Sequence, residues 1–197
     1  MELETTIQNL RKHGFAVSHF ATPEAAADHI AEGLSGKTVG IGGSLTVREL
    51  NLYDRIKDRN TVYWHMVEPG DETMVRASSA EVYIAGANAV SADGCIVNID
   101  GRGNRVAGTL MKKDRVILVC GTNKLCGDLS EAVERARQQA APPNAKRLER
   151  RTPCAVDGKC HDCSSPERIC NALVVLWRKP FWCESMELVL IDGTWGF

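Results

Sequence analysis

The chain has 197 residues, of which 44% are hydrophobic and 25% charged, with a formal net charge of −1. That supports one well-buried core rather than two. The balanced charge, with no basic run, excludes a nucleic-acid footprint, and no apolar run is long enough for a signal core or a bilayer span. A cytosolic protein with neither a nucleic-acid nor a membrane partner is expected.

Residues 1–14 (MELETTIQNLRKHG) read as a polar amphipathic helix. Thr22 caps, and Pro23 opens, a helix through Ala25–Leu34. Lys37–Gly42 reads as a short buried strand. Thr46 and Glu49 form a capping box ahead of Leu50, Leu52 and Ile56. Thr61–Val67 is a second strand, followed by a short helix near Asp71–Ser78 and a third strand at Glu81–Ala85. Between Gly86 and Arg105, glycines, asparagines and aspartates alternate with small apolar residues, as in a hairpin or tight loops beside a sheet. Arg115–Gly121 is nearly all apolar, the pattern of a parallel strand covered on both faces. Ser130–Ala140 is helical, with Ser130 and Val133 framing its first turn, and Ala141-Pro-Pro-Asn should break it. Ala172–Trp177 and Glu187–Ile191 read as a terminal strand pair. The whole is one α/β domain, residues 1–197, with a cysteine-bearing loop at 152–171.

Two polar constellations are candidate ligand sites. Gly40-Ile-Gly42-Gly43-Ser44 joins a strand to a helix start, where glycines let backbone N–H groups approach an anion. It lacks the lysine of a P-loop and the third glycine of a dinucleotide fingerprint, and a tight turn capped by Ser44 is the simpler alternative. The second stretch, Gly86–Arg105, holds five Asn or Asp residues and four glycines. Any one of them could be a turn former. Together, Asn88, Asn98, Asp100, Gly101 and Asn104 could bind hydroxyls or a carboxylate, and Arg105 could pair with an anion bidentately. Asn123 and Lys124, just after the Arg115–Gly121 strand, should reach the same sheet edge.

Cys154, Cys160, Cys163 and Cys170 fall within seventeen residues of polar sequence, the middle pair as Cys-x-x-Cys. In a reducing cytosol, clustered cysteines point to metal or redox work rather than disulfides. A 4Fe–4S cluster suits four close thiolates. Zinc suits them too, with His161 as a substitute ligand, and small buried packing residues are the third alternative. Pro153 and Pro166 stiffen the segment, and Lys159 and Arg168 could offset thiolate charge. Cys120 should be core; Cys95 and Cys126 lie near strand ends without a nearby base, and Cys183 reads as incidental in a turn. His65 reads as an ordinary strand histidine.

IGGSLTVRELNL, AGANAVSADGCIVNIDGRGNRVAG, RVILVCGTNKL and APPNAKRL, in that order, resemble successive blocks of the LUD-domain family of lactate-utilisation proteins. The resemblance runs over roughly the whole chain. It implies a mainly parallel sheet flanked by helices, similar to ribose-phosphate isomerases, glucosamine-phosphate deaminases and CoA transferases. GANAVSADGCIVN is also similar to an aldose-phosphate isomerase block, but Asn88 stands where those isomerases carry an aspartate, and an amide cannot be a general acid or base. The resemblance further implies oxidation of a small, lactate-like hydroxy acid beside iron–sulfur or oxidoreductase partner subunits, with a homo-oligomer open. This chain is similar to a short form carrying the added four-cysteine segment. The competing function is a non-redox isomerase or CoA-transferase type of enzyme with structural zinc, and a non-catalytic ligand-binding subunit is a further one.

Overall fold

The computed structural model describes residues 3–197; the first two residues of the expected N-terminal helix lie outside them. Helix α1 (Leu3–Lys12) buries Ile7 and Leu10, one turn apart on a single face. Strand β1 (Ala16–Phe20) follows, then α2 (Pro23–Glu32), whose Thr22 hydroxyl accepts the Ala25 N–H as expected. Next come β2 (Thr38–Ile41), α3 (Leu45–Glu49), α4 (Leu52–Ile56), β3 (Thr61–Trp64), α5 (Asp71–Ser79) and β4 (Val82–Gly86). The hairpin strands β5 (Ala89–Ser91) and β6 (Ile96–Asp100) precede α6 (Asn104–Leu110) and the long β7 (Lys113–Gly121). A 3-10 turn (Thr122–Lys124), β8 (Leu125–Cys126), α7 (Leu129–Arg135), a π turn (Ala136–Ala140), α8 (Ala141–Arg147) and α9 (Pro153–Asp157) lead to β9 (Ala172–Leu176) and β10 (Cys183–Ile191).

Six strands form a parallel sheet in the order β1-β10-β7-β4-β2-β3. Strand alternation sorts its residues between two cores. Val82, Ile84, Ile117 and Val119 pack with α2, α3 and α4 on one face. Tyr83, Ala85, Val116 and Leu118 pack on the other with α1 and with Val90 and Ile96 of a second sheet, ordered β8-β5-β6-β9. The mainly parallel α/β architecture expected from the sequence is therefore present, with a small mixed sheet added.

Four local expectations need correcting. Ser44, not Thr46, caps α3, because its hydroxyl accepts the Val47 N–H, and Asn51 in the left-handed region divides the expected single helix in two. The prolines 142 and 143 do not end the helix; they fall in the first turn of α8, where a missing N–H costs nothing, and the π turn ahead of them absorbs the mismatch. β9 and β10 are not a pair: β9 runs antiparallel to β6 in the small sheet, while β10 lies between β1 and β7. Cys183 is not incidental, since it begins β10 fully buried and donates its thiol to Ser185 O.

Glu187 on β10 is buried inside the main sheet and accepts from Ser18 Oγ (2.6 Å), His29 Nε2 (2.8 Å) and Arg115 Nη2 (2.6 Å). Burial alone would raise its pKa, but these donors outweigh it and hold the carboxyl below its ordinary value. A depressed carboxyl stabilises the fold above its unfolded pKa and loses that contribution as pH falls through the folded one. Glu187→Gln should therefore unfold about 2 kcal/mol more easily at neutral pH, the scale of hydrogen bonds to a charged group. Urea titrations at successively lower pH should show the gap to wild type closing below the ordinary glutamate range; a gap constant with pH would refute this account.

Candidate functional site

A cavity of about 580 Å³ opens where β2, β3, β4 and β7 end, at the carboxyl edge of the parallel sheet. Of the residues expected from sequence, Gly43, Ser44, Asn88, Asp100, Gly101, Asn104, Arg105 and Lys124 line it. Gly40, Gly42, Asn98 and Asn123 do not, and each has a different task. A Cβ on Gly40 would run into the backbone of Ala77, so that glycine lets α5 approach β2. A Cβ on Gly42 would meet Tyr83 Oη at 2.9 Å and Arg105 Cγ at 3.2 Å. Asn98 Oδ1 accepts the Asn88 N–H (3.1 Å), and Asn123 Oδ1 accepts the Trp195 N–H (3.3 Å). These are packing and positioning residues.

Within the cavity several expected roles also change. Ser44 Oγ is occupied as the cap of α3, and five residues are too few for a helix-end anion site. The carboxylate of Asp100 accepts the N–H groups of Arg102 (3.2 Å), Arg105 (2.9 Å) and Val106 (3.1 Å), which anchors the start of α6. Arg105 is half-buried in the cavity lining: its Nη2 is committed to Asn88 Oδ1 (3.0 Å) and Ile99 O, which fixes the guanidinium and leaves its Nε and Nη1 without a partner among the described residues. Asn88 Oδ1 also accepts the Ile99 N–H (2.8 Å), and Arg135 Nη1 reaches Asn88 O. Asn88 is thus a joint between the two sheets rather than an acid or base.

Lys124 is 3% exposed, and its Nζ donates to Thr46 Oγ1 (3.1 Å) and Ala87 O (3.3 Å). Burial, helped by Arg135 and Arg105, pushes its pKa down to about 8. Burial likewise lowers the pKa of Arg105 and Arg135. Three cations therefore lie close together here, Lys124 and the half-buried Arg105 in the cavity lining and the buried Arg135 behind it on Asn88 O, and among the described residues none has a carboxylate within ion-pair distance. Such a field favours an anion.

Residues that the sequence reading missed complete the walls: His65, Thr46, Arg102, Asn144, Arg147 and Phe197. His65 follows directly on β3, whose last residue is Trp64, so its place at a strand's carboxyl end was a usable signal. Its Nδ1 is buried without a partner, and burial, then Arg102, lowers its pKa. Asn144 and Arg147 lie on α8, the former at the end of the expected helix break 141–144 and the latter just beyond it. Nothing in the terminal GTWGF signals that Phe197 returns to the cavity, where Trp195 O accepts from Thr46 Oγ1 (3.1 Å) and Gly196 N–H donates to Glu49 (2.8 Å).

The cysteine segment adjoins this cavity. Ile169 forms part of the wall, and Asn171 ties the segment down through its N–H to Asp100 O (3.0 Å) and its Nδ2 to Gly101 O (3.0 Å). Arg168 donates to Cys163 O (2.7 Å), Cys170 O (3.1 Å) and Asp162 (3.0 Å). The π turn has two faces: Ala136 and Ala140 line the cavity, while Gln138 accepts the Cys160 N–H (3.0 Å) and Arg137 approaches Cys160 Sγ (3.9 Å). Cys154, Cys160, Cys163 and Cys170 are half-buried free thiols. As the side chains stand, no three His, Cys, Asp or Glu groups among the described residues converge in metal-holding geometry, and His161 is engaged by Asp157 (2.7 Å). Cys95, Cys120 and Cys126 are buried and away from the cavity lining; burial pushes the Cys120 thiol up to about 11.

Two outcomes are expected. Arg105→Ala leaves Asn88 and Ile99 O without their charged donor, so it should cost about 3 kcal/mol of stability, the scale of breaking a buried charged interaction. Denaturant titration checks this; an unchanged midpoint would refute it. The affinity of the cavity for a small carboxylate should fall as pH rises from 7 to 9, because Lys124 loses its proton near 8 while its neighbours Arg105 and Arg135 stay charged. Calorimetry on wild type and Lys124→Met should show that slope in the former and its absence in the latter.

Comparison with known proteins bears on the whole chain. It superposes on the crystal structure of a DUF162 family protein from Deinococcus radiodurans with a TM-score of 0.58 at 16% identity, over 96% of this chain and 95% of that one. At that identity the likeness shows the fold alone. No curated protein matches significantly. The sequence profile of the LUD domain matches residues 3–191. Matched over nearly its entire length, the chain belongs to the LUD domain family, a family linked to lactate utilisation.

Proposed function

We propose that this LUD-domain protein binds a small anionic, lactate-like hydroxy acid in the sheet-edge cavity and takes part in its oxidation. The observation that carries the reading is the group of cations at the cavity: Lys124, Arg105, Arg102 and Arg147 in its lining, with the buried Arg135 behind Asn88. The carboxylate lies against these cations. His65 and Asn144 offer imidazole and amide groups to the remaining oxygens, and Leu45, Met74 and Ile169 make part of the wall apolar.

Oxidation needs an electron acceptor, and the cysteine segment supports one. Four free thiols in one loop are the donor chemistry of a 4Fe–4S cluster, and Cys154, Cys160, Cys163 and Cys170 would hold it. When bound, such a cluster supplies one-electron transfer. The loop joins the cavity through Ile169 and through the π turn, which supports a redox group working beside the acid site. The guanidinium groups of Arg137 and Arg168 near Cys160, Cys163 and Cys170 would offset its negative charge. All eight cysteines being free suits a reducing cytosol. With a single cluster the chain would work as a subunit, passing electrons to an iron–sulfur or oxidoreductase partner.

Protein purified without oxygen should be brown, with iron and sulfide in equal amounts and an absorption band near roughly 400 nm that bleaches on reduction. Cys160→Ser and Cys163→Ser should each lose the band, because a hydroxyl is a poor replacement for a thiolate. Cys120→Ser should keep it and lose only core stability. Colourless protein holding one zinc per chain would replace the redox reading with a structural-zinc one, and equal metal content in all variants would leave the cysteines as packing residues.

A further inference from the structure

The described chain has two nearly inaccessible lysines at opposite ends of β7. Lys113 opens the strand, 2% exposed, and donates to Ser78 O (2.6 Å) and Lys112 O (3.2 Å), remote from the cavity. Lys124, just past the other end, is as buried but faces the cavity. The surroundings of its Nζ are unusual for an ammonium. Two neutral acceptors, Thr46 Oγ1 and Ala87 O, are in reach, and the nearby carboxylate of Glu49 is turned to the Gly196 N–H. An ammonium carries three N–H groups and a neutral amine two. Two acceptors therefore satisfy an amine completely and leave its lone pair free, whereas an ammonium would keep one donor over. Thr46 holds this orientation because its own hydroxyl proton is committed to Trp195 O.

We propose that Lys124 is a carbonyl-capturing amine, whose Nζ condenses with the keto carbon of a 2-oxo acid held in the cavity to form an imine. This rests on the acid-binding reading above, since oxidation of a 2-hydroxy acid yields the 2-oxo acid. The nitrogen lone pair forms the new C–N bond while the carbonyl π electrons move to oxygen. That oxygen takes one proton from the amine and one from solvent and departs as water. Amine, ketone and one proton thus give iminium and water, with no oxidant or reductant required. Lysines do this chemistry when desolvation or a neighbouring cation keeps them neutral near physiological pH. Lys124 has both influences, being buried and near Arg105 and Arg135, so the ammonium that meets the carboxylate at neutral pH gives up its proton near pH 8 to become the attacking amine. For the carboxylate of the oxo acid the cavity lining also supplies Arg102 and Arg147.

The test uses the intact chain with pyruvate, glyoxylate and oxaloacetate. Thermal shift and calorimetry report reversible binding, and borohydride added to the mixture reduces an imine to a stable secondary amine. Peptide mass mapping then locates the label. The expected result is one label per chain, on Lys124 and not on Lys113 or surface lysines, lost in Lys124→Arg, with circular dichroism confirming that the variant is folded. Acid binding without any label would overturn the role of Lys124 and leave the acid site standing. Label spread over surface lysines, or undiminished in Lys124→Arg, would equally overturn it. Absence of binding by any hydroxy or oxo acid would overturn the acid-binding reading and this inference together.

Discussion

Asn88 is gripped through its N–H and both of its oxygens, and the cavity depends on that grip. Its N–H is shared between Val97 O and Asn98 Oδ1, its Oδ1 receives Ile99 N–H and the guanidinium of Arg105, and its backbone oxygen receives Arg135. The residue sits where the main sheet, through β4, hands over to the small sheet, through β5. Hydrogen bonds to a charged group in a dry setting are strong and directional. The joint therefore fixes how the two sheets meet, and the space left between them is the cavity. Because the acceptors are amide and carbonyl oxygens rather than carboxylates, the arginines keep their charge unneutralised. The same contacts that fix the geometry thus supply the positive field.

Much of the architecture was legible in the sequence, because burial on both faces leaves an unambiguous apolar run. Arg115–Gly121 and Glu187–Ile191 are examples, and both lie in the middle of the parallel sheet. Strand β1 was not legible: AVSHF mixes polar and apolar residues, as suits an edge position held by one neighbour. Partnership was not legible either. Nothing local in Ala172–Leu176 says that it pairs with β6, far back in the chain, rather than with the adjacent β10.

The candidate site was legible as a neighbourhood and less so as a set of roles. Glycines and amides at strand ends mark the correct sheet edge, but the spacing of Asp100 and Arg105 could not reveal that both hold backbone groups of the chain itself. Chemistry-bearing residues that a fold consumes for itself look, in sequence, the same as those it leaves free. Lys124 is the opposite case, an unremarkable residue after a strand that gains its character only from what lies around it.

The π turn at Ala136–Ala140 carries one further consequence, for how this chain tolerates changes in length. A wide turn accommodates one residue more than an α-helical turn would. Deleting a single residue there could restore a regular helix and suit the local backbone well. Inserting a further residue, which the already widened turn has no room to absorb, would instead rotate everything downstream by about 100° about the helix axis. Asn144 and Arg147 would swing away from the cavity, and the Gln138 contact that tethers Cys160 would be lost with them. The segment is thus a phase setter: its local irregularity aligns two distant functional faces, and within this short stretch the number of residues matters more than their identity.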